Sequence, residues 1–394
     1  MIFASPLFNR EEEKKIISLS PRGVANAGNT FQWNLLDGLY QNSVSSVKII
    51  NALPVGVWPK NFRKLILKDK KWRVYNFECI ELGCLNIPLI KQFMRYCKAK
   101  RLFQSSDDNN IVISTAYLPF LQAAKNLPKE KQVTVIITDI PEFYDIHKTS
   151  SLKKVLRKLH NKIVYNALKR VDKFVILTEQ MKDPLRINSR PYLVLEGMYN
   201  SEFSNSQQVN AIEKDKDKIN LLYTGRLNYK YGLKTLLAAF EKINNDRLIL
   251  TICGSGEMKK DIEELSKRNN KIIFGGFKSH SEILQLQKKA DVLINPRTNS
   301  GEYTKYSFPS KTMEYMASGT PVIMYKLDGV PDEYDDFLYY VPDNSVNALA
   351  ATIEKVTNMD KIERKERAER AQKFILDNKN CQIQALRFLN FLES

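Results

Sequence analysis

Ile219-Asn-Leu-Leu-Tyr-Thr-Gly-Arg-Leu-Asn-Tyr-Lys-Tyr-Gly232 is an aliphatic run that stops at a glycine and leads into a helical pattern. Ile219–Thr224 has the length and composition of a strand covered on both faces, and Tyr231–Asn244 repeats apolar residues at helical spacing. A strand that turns at once into a helix is the opening of a βαβ unit. The same rhythm continues downstream. Arg247–Cys253, Lys271–Phe274, Asp291–Asn295, Pro321–Tyr325 and Leu338–Val341 read as strands. Glu257–Asn269, Ser281–Ala290, Ser310–Ser318 and Val346–Val356 read as helices between them. Right-handed crossovers then force a parallel sheet with helices on both faces.

The first half carries the rhythm less regularly. Strands are expected at Lys15–Leu19, Val47–Ala52, Arg73–Phe77, Ile111–Thr115, Val133–Thr138, Phe174–Thr178 and Tyr192–Leu195. Helices are expected at Thr30–Tyr40, Ile90–Phe103, Leu118–Asn126 and Ser151–Arg170. The 394 residues exceed what one core usually serves. The reading is therefore two domains, residues 1–200 and 218–377, joined by a polar linker at 201–217. A last helix runs from about Lys361 and bends around Asp377–Asn380. Its final segment, 378–394, is expected to cross back to the N-terminal domain.

Composition narrows the function. Residues 1–200 hold 32 Lys and Arg against 17 Asp and Glu, whereas the remainder holds 29 against 27. Charge concentrated in one half points to an anionic partner there, such as lipid headgroups, nucleic acid or an acidic substrate. Three basic-aromatic stretches carry it: Lys60–Arg73, Lys91–Phe103 and Leu152–Arg170. The last places Leu152, Val155, Leu156, Leu159, Ile163 and Val164 on one helical stripe. It is expected either to pack on the sheet or to lie on an anionic membrane. Nucleic acid explains the charge, yet no recognition helix or zinc spacing accompanies it, so no nucleic-acid partner is expected. No run reaches the roughly 18 apolar residues of a membrane span, and Met1–Arg10 is too short for a secretory signal. The expectation is a cytoplasmic protein, peripheral on the inner face of the plasma membrane. Cys79, Cys84, Cys97, Cys253 and Cys381 show no metal-ligand spacing and are expected as free thiols. His147, His160 and His280 are scattered and are assigned no role.

Three motifs in the second half suit an anionic ligand. In the opening stretch Gly225 permits a tight turn, Arg226 offers a planar fork of donors and Lys230 a mobile charge. Cys253-Gly-Ser-Gly-Glu257 brings Gly254, Ser255 and Gly256 to a second strand end, although the third glycine of a dinucleotide fingerprint is absent. Tyr306-Ser-Phe-Pro-Ser-Lys-Thr-Met-Glu-Tyr-Met-Ala-Ser-Gly319 reads as a helix with Pro309 in its first turn and Gly319 at its C-terminal end. Lys311 and Glu314, three apart, share one face of it, as in an ordinary surface ion pair or a ribose and phosphate site.

The order of these motifs, with Ala290-Asp-Val-Leu-Ile-Asn-Pro296 between the second and third, resembles the retaining family-four glycosyltransferases of the GT-B fold. The nearest likeness is to bacterial enzymes that build capsular polysaccharide, exopolysaccharide or lipopolysaccharide. It covers residues 217–377, with fainter echoes at Gly28–Gly38 and Thr138–Glu142. The resemblance implies two Rossmann-like domains whose parallel sheets face each other across a cleft. It implies a nucleotide-diphosphate sugar donor, with a UDP-sugar expected, and a glycan or lipid-linked glycan acceptor. Arg226 and Lys230 would grip the diphosphate, and Glu314 would bind the ribose. Ser307, Phe308, Ser310 and Lys311 would lie beside the donor. Asp139 would sit near the reacting sugar, and Gly28 and Asn29 would belong to the acceptor side. The family uses neither metal nor cofactor. Two positions depart from the broader pattern: Tyr306 stands where a sugar-contacting glutamate is usual, and Lys230 comes one residue early. Tyr306 leaves open an inactive scaffold subunit of this fold, and the two-domain architecture leaves open a sugar-nucleotide epimerase.

Overall fold

The computed structural model describes residues 1–21, 24, 26–143, 151–201 and 217–394. His147 and nearly all of the expected linker lie outside the described residues. The chain divides into two units, Met1–Glu196 with Cys381–Ser394, and Gly197–Asn380.

Strands of the first unit are β1 (Ile2–Ser5), β2 (Lys48–Asn51), β3 (Ile66–Leu67), β4 (Lys70–Val74), β5 (Phe77–Glu81), β6 (Cys84–Leu85), β7 (Asn110–Ser114), β8 (Gln132–Ile137), β9 (Lys173–Ile176) and β10 (Tyr192–Val194). Eight of them form one sheet in the order β10-β9-β8-β7-β1-β2-β5-β4, parallel except for the edge strand β4. Its helices are α1 (Glu13–Ser18), α2 (Asn26–Gln41), α3 (Ile90–Gln104), α4 (Leu118–Ala124) and α5 (Ser151–Leu168). The central strands read as continuous apolar runs because helices cover both faces; Ile2, Phe3 and Ala4 of β1 are fully buried.

Two expectations fail here for identifiable reasons. Lys15–Leu19 is expected as a strand, but Lys15–Ser18 falls in α1 and Leu19 caps it. Asn9 caps the preceding turn by accepting from the Glu11 amide, and of Ile16 and Ile17 only Ile16 is buried, which is one-sided helical burial. Arg73–Phe77 is not one strand but the turn of a hairpin, with Tyr75 in the left-handed region at φ 54°.

The second basic stretch is also not what its charge suggests. Lys91 and Arg95, one turn apart on α3, are buried. Lys91 Nζ donates to the Val55 carbonyl at 2.5 Å, and Arg95 donates to the Leu53 carbonyl at 2.9 Å and the Tyr117 hydroxyl at 3.0 Å. Burial, aided by the Arg95 charge, pulls the Lys91 ammonium down to about 8. These two cations hold the segment after β2 and are not offered to a partner.

The second unit follows the reading closely. Its strands are β11 (Ile219–Arg226), β12 (Leu248–Ser255), β13 (Ile272–Gly276), β14 (Val292–Asn295), β15 (Val322–Tyr325) and β16 (Tyr339–Val341). They form an all-parallel sheet in the order β13-β12-β11-β14-β15-β16. The helices are α6 (Leu233–Lys242), α7 (Lys259–Arg268), α8 (His280–Lys289), α9 (Ser310–Ala317), α10 (Val346–Asn358) and α11 (Lys361–Asn378). Strand order reverses between β11 and β14, and ligands of open α/β sheets bind beyond the carboxyl ends of strands at such a point.

The last helix, α12 (Cys381–Glu393), belongs to the first unit. The expected bend is a true break: Lys379 leaves helical geometry at φ −122°, and the chain restarts at Cys381. α12 packs on α2 so closely that a Cβ on Gly38 would stand 2.1 Å from the Cys381 carbonyl oxygen. All five cysteines are free thiols, four of them buried.

Candidate functional site

The parallel pairing of β11 and β12 sets Gly225 opposite Gly254 and Arg226 opposite Ser255. The two glycines form a floor made of backbone alone. A Cβ on Gly254, whose φ is +152°, would lie 1.8 Å from the Gly225 carbonyl oxygen; one on Gly225 would reach the Tyr223 hydroxyl at 2.9 Å and Lys311 Cε at 3.0 Å. Lys311, 86 positions further along, therefore lies against the end of β11. Ser255 and Gly256 are exposed at the rim.

Arg226 is exposed, and its side chain has no hydrogen-bond or ion-pair partner among the described residues. Lys311 likewise has no carboxylate within ion-pair distance; the simple Lys311–Glu314 ion pair does not form. Lys230 is exposed beside the Tyr231 ring, 5.3 Å from its centroid. The turn beneath is pinned by Tyr229, whose amide donates to Glu257 at 3.0 Å and whose hydroxyl donates to Asp261 at 2.6 Å. The first turn of α9 has no side-chain cap: Pro309 occupies the cap position rather than the first helical one, and Ser310 is exposed. Unpaired cations, an uncapped helix start and a backbone floor at a strand end together favour a polyanion.

Glu314 is positioned from below. Gln287 of α8 is fully buried, and its Nε2 donates to Glu314 Oε1 at 2.5 Å and to Thr224 Oγ1 at 3.3 Å. The Tyr315 hydroxyl closes the network, accepting from the Thr224 amide at 3.0 Å and donating to the Thr224 carbonyl at 3.1 Å. Burial keeps that phenol protonated. On the outer side His280 Nδ1 lies 3.9 Å from Glu314 Oε2. His280 is expected to have no role, and Gln287 stands in no motif of the sequence. Spacing cannot find either, because a helix between two other strands delivers them.

Two expected donor residues make contacts within the unit. Phe308 is a core side chain, its ring 5.3 Å from that of Tyr334, so it supports α9 from beneath. Ser307 Oγ accepts from Arg297 Nη2 at 2.8 Å and donates to the Tyr303 carbonyl at 3.3 Å. Exposed Phe277 follows β13 on the edge that carries the motifs.

Asp139, Gly28 and Asn29 belong to the other unit. Asp139 is exposed two residues beyond β8, accepting from Thr138 Oγ1 at 3.2 Å. Asn29, in the first turns of α2, accepts from the Phe8 amide at 3.0 Å, while the Gly28 carbonyl accepts from Gln32 at 2.8 Å. The Asn29 bond, with that of Gln32 Nε2 to the Pro6 carbonyl at 3.2 Å, ties the start of α2 to the segment leaving β1, at the same carboxyl edge of the sheet as Asp139. A Cβ on Gly28 would meet nothing within 4 Å. Among the described residues no group of three or more His, Cys, Asp or Glu side chains is placed to hold a metal ion.

The second unit, which carries these motifs, is similar to a known family. Residues 204–374 match the family described as Glycosyl transferases group 1. An uncharacterized glycosyltransferase of Methanocaldococcus jannaschii is 32% identical over 123 residues, 30% of this chain and 29% of that protein. The putative colanic acid biosynthesis glycosyltransferase WcaL of Escherichia coli K12 is 24% identical over 172 residues, 42% of each. The chain thus spans less than half the length of these relatives. Among solved structures, the sucrose-phosphate synthase of Thermosynechococcus elongatus superposes with a TM-score of 0.69 at 16% identity, over 100% of this chain and 98% of that one. The chain has the GT-B fold of such enzymes: two Rossmann-like α/β units with parallel sheets.

Proposed function

We propose that this protein is a retaining, hexosyl-transferring glycosyltransferase that moves a sugar from a nucleotide-diphosphate donor to a lipid-linked glycan acceptor in surface polysaccharide assembly. The observation that carries this reading is the pair of cations without carboxylate partners, Arg226 and Lys311, beside the Gly225–Gly254 floor and one helical turn from Glu314. A sugar leaving its nucleotide puts charge on a diphosphate, and preorganised cations stabilise charge as it develops. Arg226, Lys230 and Lys311 supply it, the α9 start adds its dipole, and Glu314 accepts from the ribose hydroxyls. The acceptor attacks from the face the diphosphate leaves, so configuration is retained; Asp139, with Gly28 and Asn29, serves the acceptor and the reacting sugar. Neutralisation by side chains leaves no task for a metal ion.

The test is thermal unfolding with UDP-, GDP-, dTDP- and CMP-sugars, each with and without EDTA. A donor at a hundred times its dissociation constant stabilises by about 2.7 kcal/mol. The expected result is a shift with one nucleotide class, UDP foremost, that EDTA leaves unchanged. No shift with any donor sinks the reading in favour of a scaffold.

The lipid-linked acceptor is supported by the third basic stretch. Val155, Leu156, Leu159 and Ile163 are exposed on α5, so this part of the stripe does not pack on the sheet; Val164, expected with them, lies instead with Ala167 and Leu168 on the buried face, and the Leu152 side chain lies outside the described residues. Lys154, Lys158 and Lys162 are exposed with it. An apolar stripe rimmed by lysines suits an anionic leaflet, each cation contributing about 1 kcal/mol near the surface. No helix among the described residues is long and apolar enough to cross a membrane. The protein is expected to cosediment with anionic phospholipid vesicles and not with zwitterionic ones. Leu156→Asp with Leu159→Asp should weaken that binding by about tenfold or more. Unchanged cosedimentation removes the membrane from the proposal.

A further inference from the structure

Gln287 breaks a rule that buried polar groups usually keep. Its side chain is fully buried, yet its Oε1 has no hydrogen-bond partner. Turning the amide over would not repair this, because it would set a carbonyl oxygen against the Glu314 carboxylate. The orientation is therefore dictated by Glu314, and the orphaned acceptor is the cost of keeping it. A leucine or methionine would fill the same space in the core without that cost. Thr320 adds a second constraint, its hydroxyl donating to the Gln287 backbone carbonyl at 2.7 Å, so the helix carrying the amide is fixed as well.

The amide also links two elements. Thr224, which takes the second hydrogen bond, directly precedes Gly225 and lies two residues before Arg226. Gln287 thus bridges the strand that ends in the phosphate-facing turn to the helix that bears the carboxylate. Of the two carboxylate oxygens it occupies the inner one, and Oε2 is left outward with His280 near it. We infer that Gln287 is a positioning residue for the nucleotide-sugar site, holding Glu314 in the rotamer that presents Oε2 to the ribose at fixed distance from the Arg226 turn. This rests on the donor reading given above.

Two variants test it, measured with the tightest-binding member of the sugar-nucleotide panel. Gln287→Met keeps volume and removes the donor hydrogens. It should raise the donor dissociation constant about tenfold or more, with the loss falling on donor KM rather than on kcat, because ground and transition states both use the ribose contact. Gln287→Glu sets a second carboxyl against Glu314. At such range the second ionisation is pushed up, so the pair shares a proton at lower pH and repels once both ionise at high pH. Donor affinity in this variant should fall steeply with rising pH. The wild type holds the same neighbouring titratable groups, His280 and Tyr315, so the difference between the two profiles isolates the new carboxyl. Donor binding by Gln287→Met equal to wild type, or a Gln287→Glu profile that overlays the wild type, overturns the inference while leaving the donor site standing. Failure of the wild type itself to bind any donor overturns both.

Discussion

Alanine at Arg226 is expected to lower kcat for sugar transfer by about 10²–10³-fold, the effect typical of removing one preorganised charge partner from a developing anion. The expectation follows from the absence of any competing partner. An arginine engaged by a neighbouring carboxylate would lose part of its effect to that pair, whereas Arg226 has none among the described residues. Its loss should leave the melting temperature nearly unchanged, because the exposed side chain stabilises nothing in the free protein. Arg226→Lys should recover only part of the rate, since an ammonium cannot reproduce a planar two-point grip on a diphosphate. The check is steady-state transfer with the donor identified by thermal shift. Near-wild-type turnover in the alanine variant would remove Arg226 from the chemistry.

The second large effect is on stability. Gly254→Ala inserts a methyl group 1.8 Å from the Gly225 carbonyl oxygen, at a φ of +152° that side chains rarely adopt. Neither atom can yield without breaking the register that aligns β11 with β12. Overpacking and backbone strain each contribute about 1–3 kcal/mol, for a total of about 3 kcal/mol or more. For a unit of this size that lowers the melting temperature by about 6–12 °C. Donor-induced stabilisation should vanish with it. Gly28→Ala is the natural control, because its methyl group enters open space on a helix and should leave stability unchanged or improved. A Gly254→Ala protein that melts with wild type would mean that the glycine floor is not rigid.

The second unit was legible almost strand by strand, because its elements alternate without interruption and each short apolar run is buried on both faces. The first unit was harder where local and tertiary signals diverge. Ile16 and Ile17 look like a strand until burial selects one of them. Lys91 and Arg95 look like surface charge until their carbonyl partners are seen. In the candidate site, Gly225, Arg226 and Lys311 stand at strand and helix ends in readable motifs. Gln287 and His280 do not, since they reach Glu314 from a helix with no motif of its own. The α5 stripe shows the same limit in reverse. Periodicity identified an apolar face, but only the fold could say that Val164 and Leu168 face inward while Leu156 and Leu159 do not.

The placement of α12 has a consequence for how the molecule is made. The first unit begins with β1 at residue 2, yet the helix that fills the face of α2 at Gly38 is Cys381–Glu393. Lys173 at the start of β9 also waits for it, donating to the Phe391 and Leu392 carbonyls at 2.9 Å each. During synthesis the second unit, continuous from Gly197 to Asn380, can complete its core while the first still lacks a wall. The half of the protein that is translated first is therefore the half that matures last. Until α12 leaves the ribosome, a nascent chain presents an open apolar surface on α2, and a message truncated just short of residue 381 would yield a finished second unit attached to an unfinished first one.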